Sequence, residues 1–133
     1  LPEVKLGVAI TSSVDVTNTI TRRVAIYALD CLLAIENGKP LPDYEKTNSV
    51  NEKTVALLAG HFVSDNGKRL KLINKYGTLY MENDRFQTRI RQLNGKLVTD
   101  SQISYGSPID YDEDGRSVTM GGTVYNREKY LKP

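Results

Sequence analysis

The amino-acid sequence predicts a mainly β protein, in which a small antiparallel up-and-down barrel follows a segment made of one strand and one helix. From residue 55 onward, seven or eight short alternating runs are separated by hairpin-turn residues at regular spacing, which is the pattern of a β meander. A meander of this length closes into a barrel because closure removes the exposed edge strands. Residues 1–38 follow a different pattern, with one apolar strand run and one apolar helical run.

The first predicted element is a strand over residues 4–10, VKLGVAI. Its apolar and β-branched composition is typical of a strand that is buried on both faces. A helix is predicted next, because apolar residues recur at three- and four-residue spacing. These residues are Val16, Ile20, Val24, Ala28, Cys31 and Ile35. Asp15 or Thr17 can cap the start of the helix, and Gly38 and Pro40 supply its end.

The second half of this helix, residues 24–35, is apolar almost all round, with Asp30 as its one plainly polar residue. A helix with that pattern should be covered on more than one side. Exposing six or more Leu, Ile or Val side chains would cost about 10 kcal/mol, which is comparable to the stability of a whole domain. We therefore expect another body to cover residues 1–38. It could be an upstream part of the same polypeptide, another copy of the chain or the outer wall of the barrel, and the double-sided apolar pattern favours the first.

A linker is predicted over residues 39–54, because this segment holds two prolines, many polar residues and little periodicity. The barrel domain is predicted over residues 55–133. Its turns include Asn66-Gly67, Asn94-Gly95 and Asp114-Gly115, since these residues tolerate a positive φ at little cost. The clearest strands are predicted over residues 58–64, 69–75, 78–82 and 85–91, and shorter ones over 102–105 and 109–111. In residues 85–91, Phe86, Thr88 and Ile90 should face the core, while the arginines face solvent.

Composition excludes several classes of partner and site. The chain has 18 basic and 16 acidic residues, with a formal net charge of +2. A nucleic-acid-binding protein usually has a larger basic excess, so no nucleic acid partner is predicted. Cys31 is the only cysteine, which excludes an internal disulfide and a cysteine-only metal cluster. No apolar run reaches the roughly 20 residues of a membrane span, and none is predicted. No cofactor is predicted either.

Two groups of sequence runs resemble a known class of enzymes. The runs LGVAITSS, ITRRVAIYALDCLLAI and PLPDY resemble the end of the catalytic domain in serine β-lactamase-related hydrolases and penicillin-binding-protein-like peptidases, where the last sheet strands precede a C-terminal helix. The run LLAGHFVSDNGKRLKLINKYGTLYMEN resembles the lipocalin-like barrel that some members carry as an appended domain. In those barrels the opening reads as a glycine and an aromatic residue followed by a short turn.

The resemblance implies a domain plan and a parent activity. Residues 1–38 would be the strand and C-terminal helix of a β-lactamase-like domain, residues 39–54 the linker, and residues 55–133 the accessory barrel. The parent would acylate a serine and hydrolyse an amide or ester, at an extracytoplasmic location. Its partners would be the upstream catalytic domain or a second copy of the chain, with a small molecule or peptide as a possible ligand.

The catalytic motifs of that class are missing from this chain. No serine has a lysine three positions later, and neither Y-x-N, K-T-G nor H-x-G occurs, whereas this chemistry needs a lysine-activated serine. No catalytic residue is therefore predicted here. Two alternatives stay open: a free-standing lipocalin-like carrier of a small apolar ligand, and a calcium-dependent interaction module.

A calcium loop is the weaker metal hypothesis. Asp110, Asp112, Asp114 and Gly115 reproduce the start of the loop pattern D-x-D-x-D-G, in which carboxylates bind a hard cation and glycine allows the sharp turn. Position twelve is Gly121 instead of the bidentate glutamate. An acidic hairpin is the favoured interpretation, with these aspartates as weak candidates for metal binding.

Three other sets of residues could form a binding surface, although an ordinary structural role is favoured for each. His61 is the only histidine and lies at the opening of the first barrel strand. A basic stripe that could bind phosphates or an acidic surface consists of Arg85, Arg89 and Arg91, with Lys68, Arg69 and Lys71 nearby. Tyrosines that could line a cavity are Tyr76, Tyr80, Tyr105, Tyr111 and Tyr125.

Overall fold

The computed structural model describes residues 2–129 and divides the chain into two compact units, with the boundary between Lys46 and Thr47. Residue 1 and residues 130–133, which belong to the predicted first segment and barrel, lie outside the described part. The first unit contains a short 3-10 helix, Pro2–Val4, and the helix α1, Asn18–Glu36. The second contains the helix α2, Glu52–Leu58, and eight strands: β1 Gly60–Ser64, β2 Arg69–Lys75, β3 Thr78–Glu82, β4 Gln87–Leu93, β5 Lys96–Asp100, β6 Tyr105–Tyr111, β7 Ser117–Met120 and β8 Thr123–Arg127.

The eight strands form a closed antiparallel barrel, which confirms the predicted fold class. Each strand pairs with the next one along the chain, and β1 also pairs with β8. Two-residue turns with both φ angles positive join several of these strands, among them Asn94-Gly95 between β4 and β5. Turns of this kind match the right-handed twist of the strands they connect. The tight turns and the closure of the sheet therefore both favour the up-and-down topology, in which consecutive strands are neighbours.

One hydrophobic core fills the barrel and extends to α2. Alternation along each strand points the buried side chains inward, among them Phe62, Leu72, Leu79, Ile90 and Val118. Val55 and Leu58 of α2 belong to the same core and are 1% and 0% exposed. The short helix is thus an integral part of the barrel core. Asn51 caps it, since its side-chain oxygen accepts a hydrogen bond from the backbone N–H of Thr54.

Arg127 joins the end of β8 to the end of α2. Its guanidinium donates hydrogen bonds to three backbone carbonyls, those of Leu57 (2.5 Å), Ala59 (3.1 Å) and Gly115 (2.7 Å). It also lies 4.7 Å above the centre of the Phe62 ring. Carbonyls at a helix C-terminus have no partner within the helix, and a cation there is favourable. A single side chain therefore fixes α2, the first strand and the hairpin between β6 and β7.

Several strand boundaries in the second unit differ from the sequence prediction, and the strand predicted over residues 85–91 is β4, Gln87–Leu93. The strand predicted over residues 58–64 begins at Gly60, because the residues before it form α2. The runs predicted as separate strands over residues 102–105 and 109–111 contribute to the single strand β6, Tyr105–Tyr111. Pro108 does not interrupt this strand, although it has no backbone N–H to donate.

The first unit confirms the predicted helix but contains no strand over residues 4–10. Thr17 precedes α1, and Asn37 and Gly38 end it, with Gly38 at a φ of 62°. Residues 6–12 form no regular element. A strand buried on both faces needs neighbouring strands to pair with, and the described part of this unit contains no strand. The strand thus stays a prediction for the chain when it is packed on a larger body.

The hairpin between β2 and β3 is expected to be suboptimal for stability. Tyr76 and Gly77 occupy its turn with φ angles of 51° and 80°, and the Tyr76 side chain is fully exposed. A tyrosine pays a steric penalty at positive φ that asparagine largely avoids. We expect Tyr76→Asn to raise the unfolding free energy by about 0.5–1 kcal/mol, measured by urea denaturation. Tyr76→Ala keeps the strained geometry, so equal stability of the two variants would contradict this account.

Candidate functional site

A cleft of about 950 Å³ lies along the outer wall of β1 to β4. Strand register explains its position, since His61, Lys71, Glu82 and Gln87 stand opposite one another on these four consecutive strands. Their neighbours along each strand point into the core, so this row points outward. Glu128, which follows β8, also lines the cleft. Strand pairing therefore forms the cleft from residues that are up to 26 positions apart in the sequence, from His61 to Gln87. The strand β8 lies beside them, since it pairs with β1.

Glu82 is the centre of a hydrogen-bond network on the cleft wall. Lys71 Nζ lies 2.5 Å from Glu82 Oε1, and Gln87 Nε2 lies 2.6 Å from Glu82 Oε2. Lys75 Nζ in turn donates to Gln87 Oε1 at 2.6 Å. The hydrogen bond from Lys71, followed by the one from Gln87, lowers the pKa of Glu82 below its ordinary value. The carboxylate is therefore held in its charged form by both partners.

The lowered pKa of Glu82 predicts a stability contribution that depends on pH. A carboxyl group whose pKa is lower in the folded state stabilises the protein above its unfolded pKa, and this contribution is lost as the pH falls through the folded pKa. We expect Glu82→Gln to make the loss of stability between about pH 5 and pH 3 shallower, measured by urea denaturation. Lys71→Met should raise the pKa of Glu82 in an NMR titration of the carboxyl carbon. An unchanged titration would show that the Lys71 contact does not hold the charge.

A hydrogen-bonded turn between β3 and β4 places two further side chains at the cleft. Asn83 Oδ1 accepts hydrogen bonds from the backbone N–H groups of Arg85 (3.0 Å) and Phe86 (2.8 Å). Asn83 N also donates to the carbonyl of Phe86. This arrangement is an Asx turn, which fixes the loop locally. Arg85 and Phe86 line the cleft, and the Phe86 ring is 46% exposed, so the prediction that Phe86 faces the core is wrong.

His61 lies in the cleft wall and has no nucleophile beside it. It is half-buried on β1, and its carbonyl accepts a hydrogen bond from the backbone N–H of Glu128. The described residues that line the cleft include no serine, threonine or cysteine. Acyl transfer needs an activated hydroxyl or thiol. The described lining of the cleft has charged side chains and a concave shape, which are properties of a binding site.

The aspartates of the calcium hypothesis occupy the hairpin between β6 and β7 and take part in ordinary turn contacts. Asp112 Oδ1 accepts a hydrogen bond from Ser117 N, and Asp114 lies 3.2 Å from Arg116. Asp110 belongs to β6 and is exposed. Among residues 2–129, no three His, Cys, Asp or Glu side chains are grouped so that they could hold a metal ion.

The predicted basic stripe is divided among separate partners. Arg89 is 4.0 Å from Asp100. Arg91 donates to Thr47 O and Ser49 Oγ and so holds the chain that enters the second unit against the barrel. Of the three arginines, Arg85 alone lines the cleft. The tyrosines are also dispersed, since Tyr76 and Tyr111 are exposed, Tyr80, Tyr105 and Tyr125 are half-buried, and Tyr125 packs against the core.

The first unit presents a second candidate surface. One side of α1 packs against residues 39–46, where the Tyr27 hydroxyl donates to Pro42 O at 3.1 Å and the Tyr27 and Tyr44 rings meet edge to face. A hydrogen bond with Cys31, followed by burial, raises the pKa of Tyr27. The neighbouring side carries exposed apolar residues within about 120° of helix circumference. We call these residues the apolar stripe: Ile20, Val24, Leu32 and Ile35, which are 45%, 41%, 37% and 65% exposed.

Ala34 is the only buried residue among the described residues of the first unit. The exposed apolar side chains expected from the sequence are therefore present in the structure. No helix in residues 2–129 is both long enough and apolar enough to cross a membrane.

Sequence reasoning missed several residues of the cleft, among them Asn83, Gln87 and Glu128. The run Asn83-Asp84-Arg85-Phe86 carried a local signal, since asparagine before two polar residues is typical of an Asx turn. Comparison of the chain with protein-family models, with curated proteins and with solved structures finds no match.

Proposed function

We propose that this chain is the non-catalytic C-terminal segment and accessory barrel of a serine hydrolase of the β-lactamase-related class. An upstream catalytic domain would carry out acyl transfer to serine and the hydrolysis of an amide or ester. The helix α1 would be the last helix of that domain, and residues 4–10 would join its sheet. The barrel would shape access to the active site or support assembly. The class comes from the resemblance of the sequence runs.

The exposed apolar stripe on α1 is the observation that supports this proposal. A surface helix normally buries its apolar face, and contiguous apolar surface on a soluble protein marks an interaction site. Residues 39–46 cover one side of the helix and leave the stripe open. An upstream catalytic domain would supply both the helices that cover the stripe and the strands that pair with residues 4–10.

The coding sequence upstream of Leu1 tests the proposal. We expect it to encode S-x-x-K followed by Y-x-N. The polypeptide that includes this region should be labelled by a fluorescent penicillin or a fluorophosphonate at the serine of S-x-x-K, and a serine-to-alanine variant should not. A secretion signal directly before Leu1, with no S-x-x-K, would contradict it.

A free-standing lipocalin-like carrier is the second candidate. The closed eight-stranded up-and-down barrel favours it, since this architecture can hold a small ligand inside. The interior side chains, however, form one continuous core with α2. A carrier should be a monomer that binds an apolar fluorophore inside the barrel. A competing apolar ligand should displace this fluorophore.

A further inference from the structure

We infer that the outer-wall cleft of the barrel is a binding site for a short, extended peptide that carries both a positive and a negative charge. The inference goes beyond the proposed function and stands independently of it, because the cleft is formed by the second unit alone. The cleft volume of about 950 Å³ lies at the upper end of the range for ligand sites. It exceeds what a single amino acid would fill.

The negative end of the ligand would bind at Arg85. Among residues 2–129, the Arg85 guanidinium has no side-chain partner, whereas Lys71 is already paired with Glu82. The Asx turn at Asn83 holds the backbone of Arg85 at the edge of the cleft. A guanidinium in this position can form a bidentate pair with a carboxylate.

The positive end of the ligand would bind at Glu128. Its side chain is only 19% exposed, yet its ion-pair partner within residues 2–129 is Arg69, at a long distance of 3.8 Å and with a side chain that is 79% exposed. This carboxylate is shielded from water and has only a distant cation beside it. A cationic group of the ligand that came closer would therefore stabilise its negative charge. Asp84, which lines the cleft and has no side-chain partner in the described part of the chain, adds a second negative group.

Charge and shape favour a peptide over other ligands. The three basic residues of the lining, Arg69, Lys71 and Arg85, are balanced by the acidic residues Glu82, Asp84 and Glu128, which disfavours a polyanion such as nucleic acid. A small apolar ligand would need an enclosed apolar pocket. The apolar lining residues are Phe62 and Leu70, which are buried, and Phe86, which is 46% exposed and can pack against one side chain of a peptide.

NMR titration of the ¹⁵N-labelled chain tests the inference with two pentapeptides, Lys-Gly-Tyr-Gly-Glu and its reverse, Glu-Gly-Tyr-Gly-Lys. We expect at least one of them to give saturable shifts confined to the amides of β1, β2, the Asn83–Phe86 turn and Glu128. Arg85→Gln should weaken that binding about tenfold, as expected for the loss of one charge-assisted contact. Arg89→Gln, which alters an arginine of β4 outside the cleft, should leave the binding unchanged.

Three results would overturn the inference. The first is that neither peptide gives saturable shifts at the cleft up to millimolar concentration. The second is that Arg85→Gln binds as tightly as the unmodified chain. The third is that an oligothymidine competes at the cleft more strongly than the peptides, which would identify a polyanion site instead.

Discussion

Arg127→Ala is expected to lower the unfolding free energy of the barrel by about 2–4 kcal/mol. The substitution removes three hydrogen bonds from a charged donor to backbone carbonyls, and two of those carbonyls, of Leu57 and Ala59, lie at the C-terminal end of α2. It also removes the guanidinium from the face of the Phe62 ring. Guanidinium denaturation followed by far-UV circular dichroism measures the effect.

Arg116→Ala is the matched control for this prediction. The Arg116 side chain is 77% exposed and makes one ion pair with Asp114, and an exposed pair of this kind contributes little. Arg127→Lys should be intermediate, because an ammonium does not reproduce the planar fork of the guanidinium. A change below about 0.5 kcal/mol in Arg127→Ala would contradict the role we assign to Arg127.

Leu58→Ala is expected to destabilise the barrel by about 2–5 kcal/mol. Leu58 is fully buried at the end of α2 and belongs to the same core as the strand residues. Its truncation leaves a cavity where the helix packs on the barrel, although alanine is the better helix former. The expected loss of stability is therefore a loss of packing.

Ala56→Gly provides the comparison, because Ala56 is exposed on the same helix and glycine there costs only its helix propensity, about 1 kcal/mol. Equal effects of Leu58→Ala and Ala56→Gly would show that α2 does not contribute to the core. Leu58→Ala and Arg127→Ala should also be non-additive, since both loosen the same helix.

The barrel could be predicted from the sequence because its signals are local. Residues 69–75 and 78–82 alternate with period two, and the observed strands β2 and β3 have the predicted bounds. Asn94-Gly95 forms the predicted turn, since asparagine and glycine accept the positive φ angles of 49° and 80°. Thr88 and Ile90 of β4 are buried as expected. Turn chemistry and alternation are sufficient for these elements.

The helix α2 and the cleft could not be predicted in the same way. Seven residues, Glu52–Leu58, make only two helical turns, too few to show a 3.6-residue period clearly. Val55 and Leu58 are apolar because they pack on the barrel core. This is a tertiary contact, which the local sequence does not show. The cleft brings together His61, Lys71 and Glu82 through strand register, and register is not visible in any one segment.

We expect the apolar stripe of α1 to be an interface for a body outside this chain. Sedimentation velocity of the isolated chain over a range of concentrations is the test of this expectation. We expect concentration-dependent self-association and binding of an apolar dye, both abolished by the double variant Val24→Glu and Ile35→Glu and retained by Arg22→Glu, which alters an exposed residue on the opposite side of the helix. A monomer at every concentration, with no dye bound, would contradict the claim.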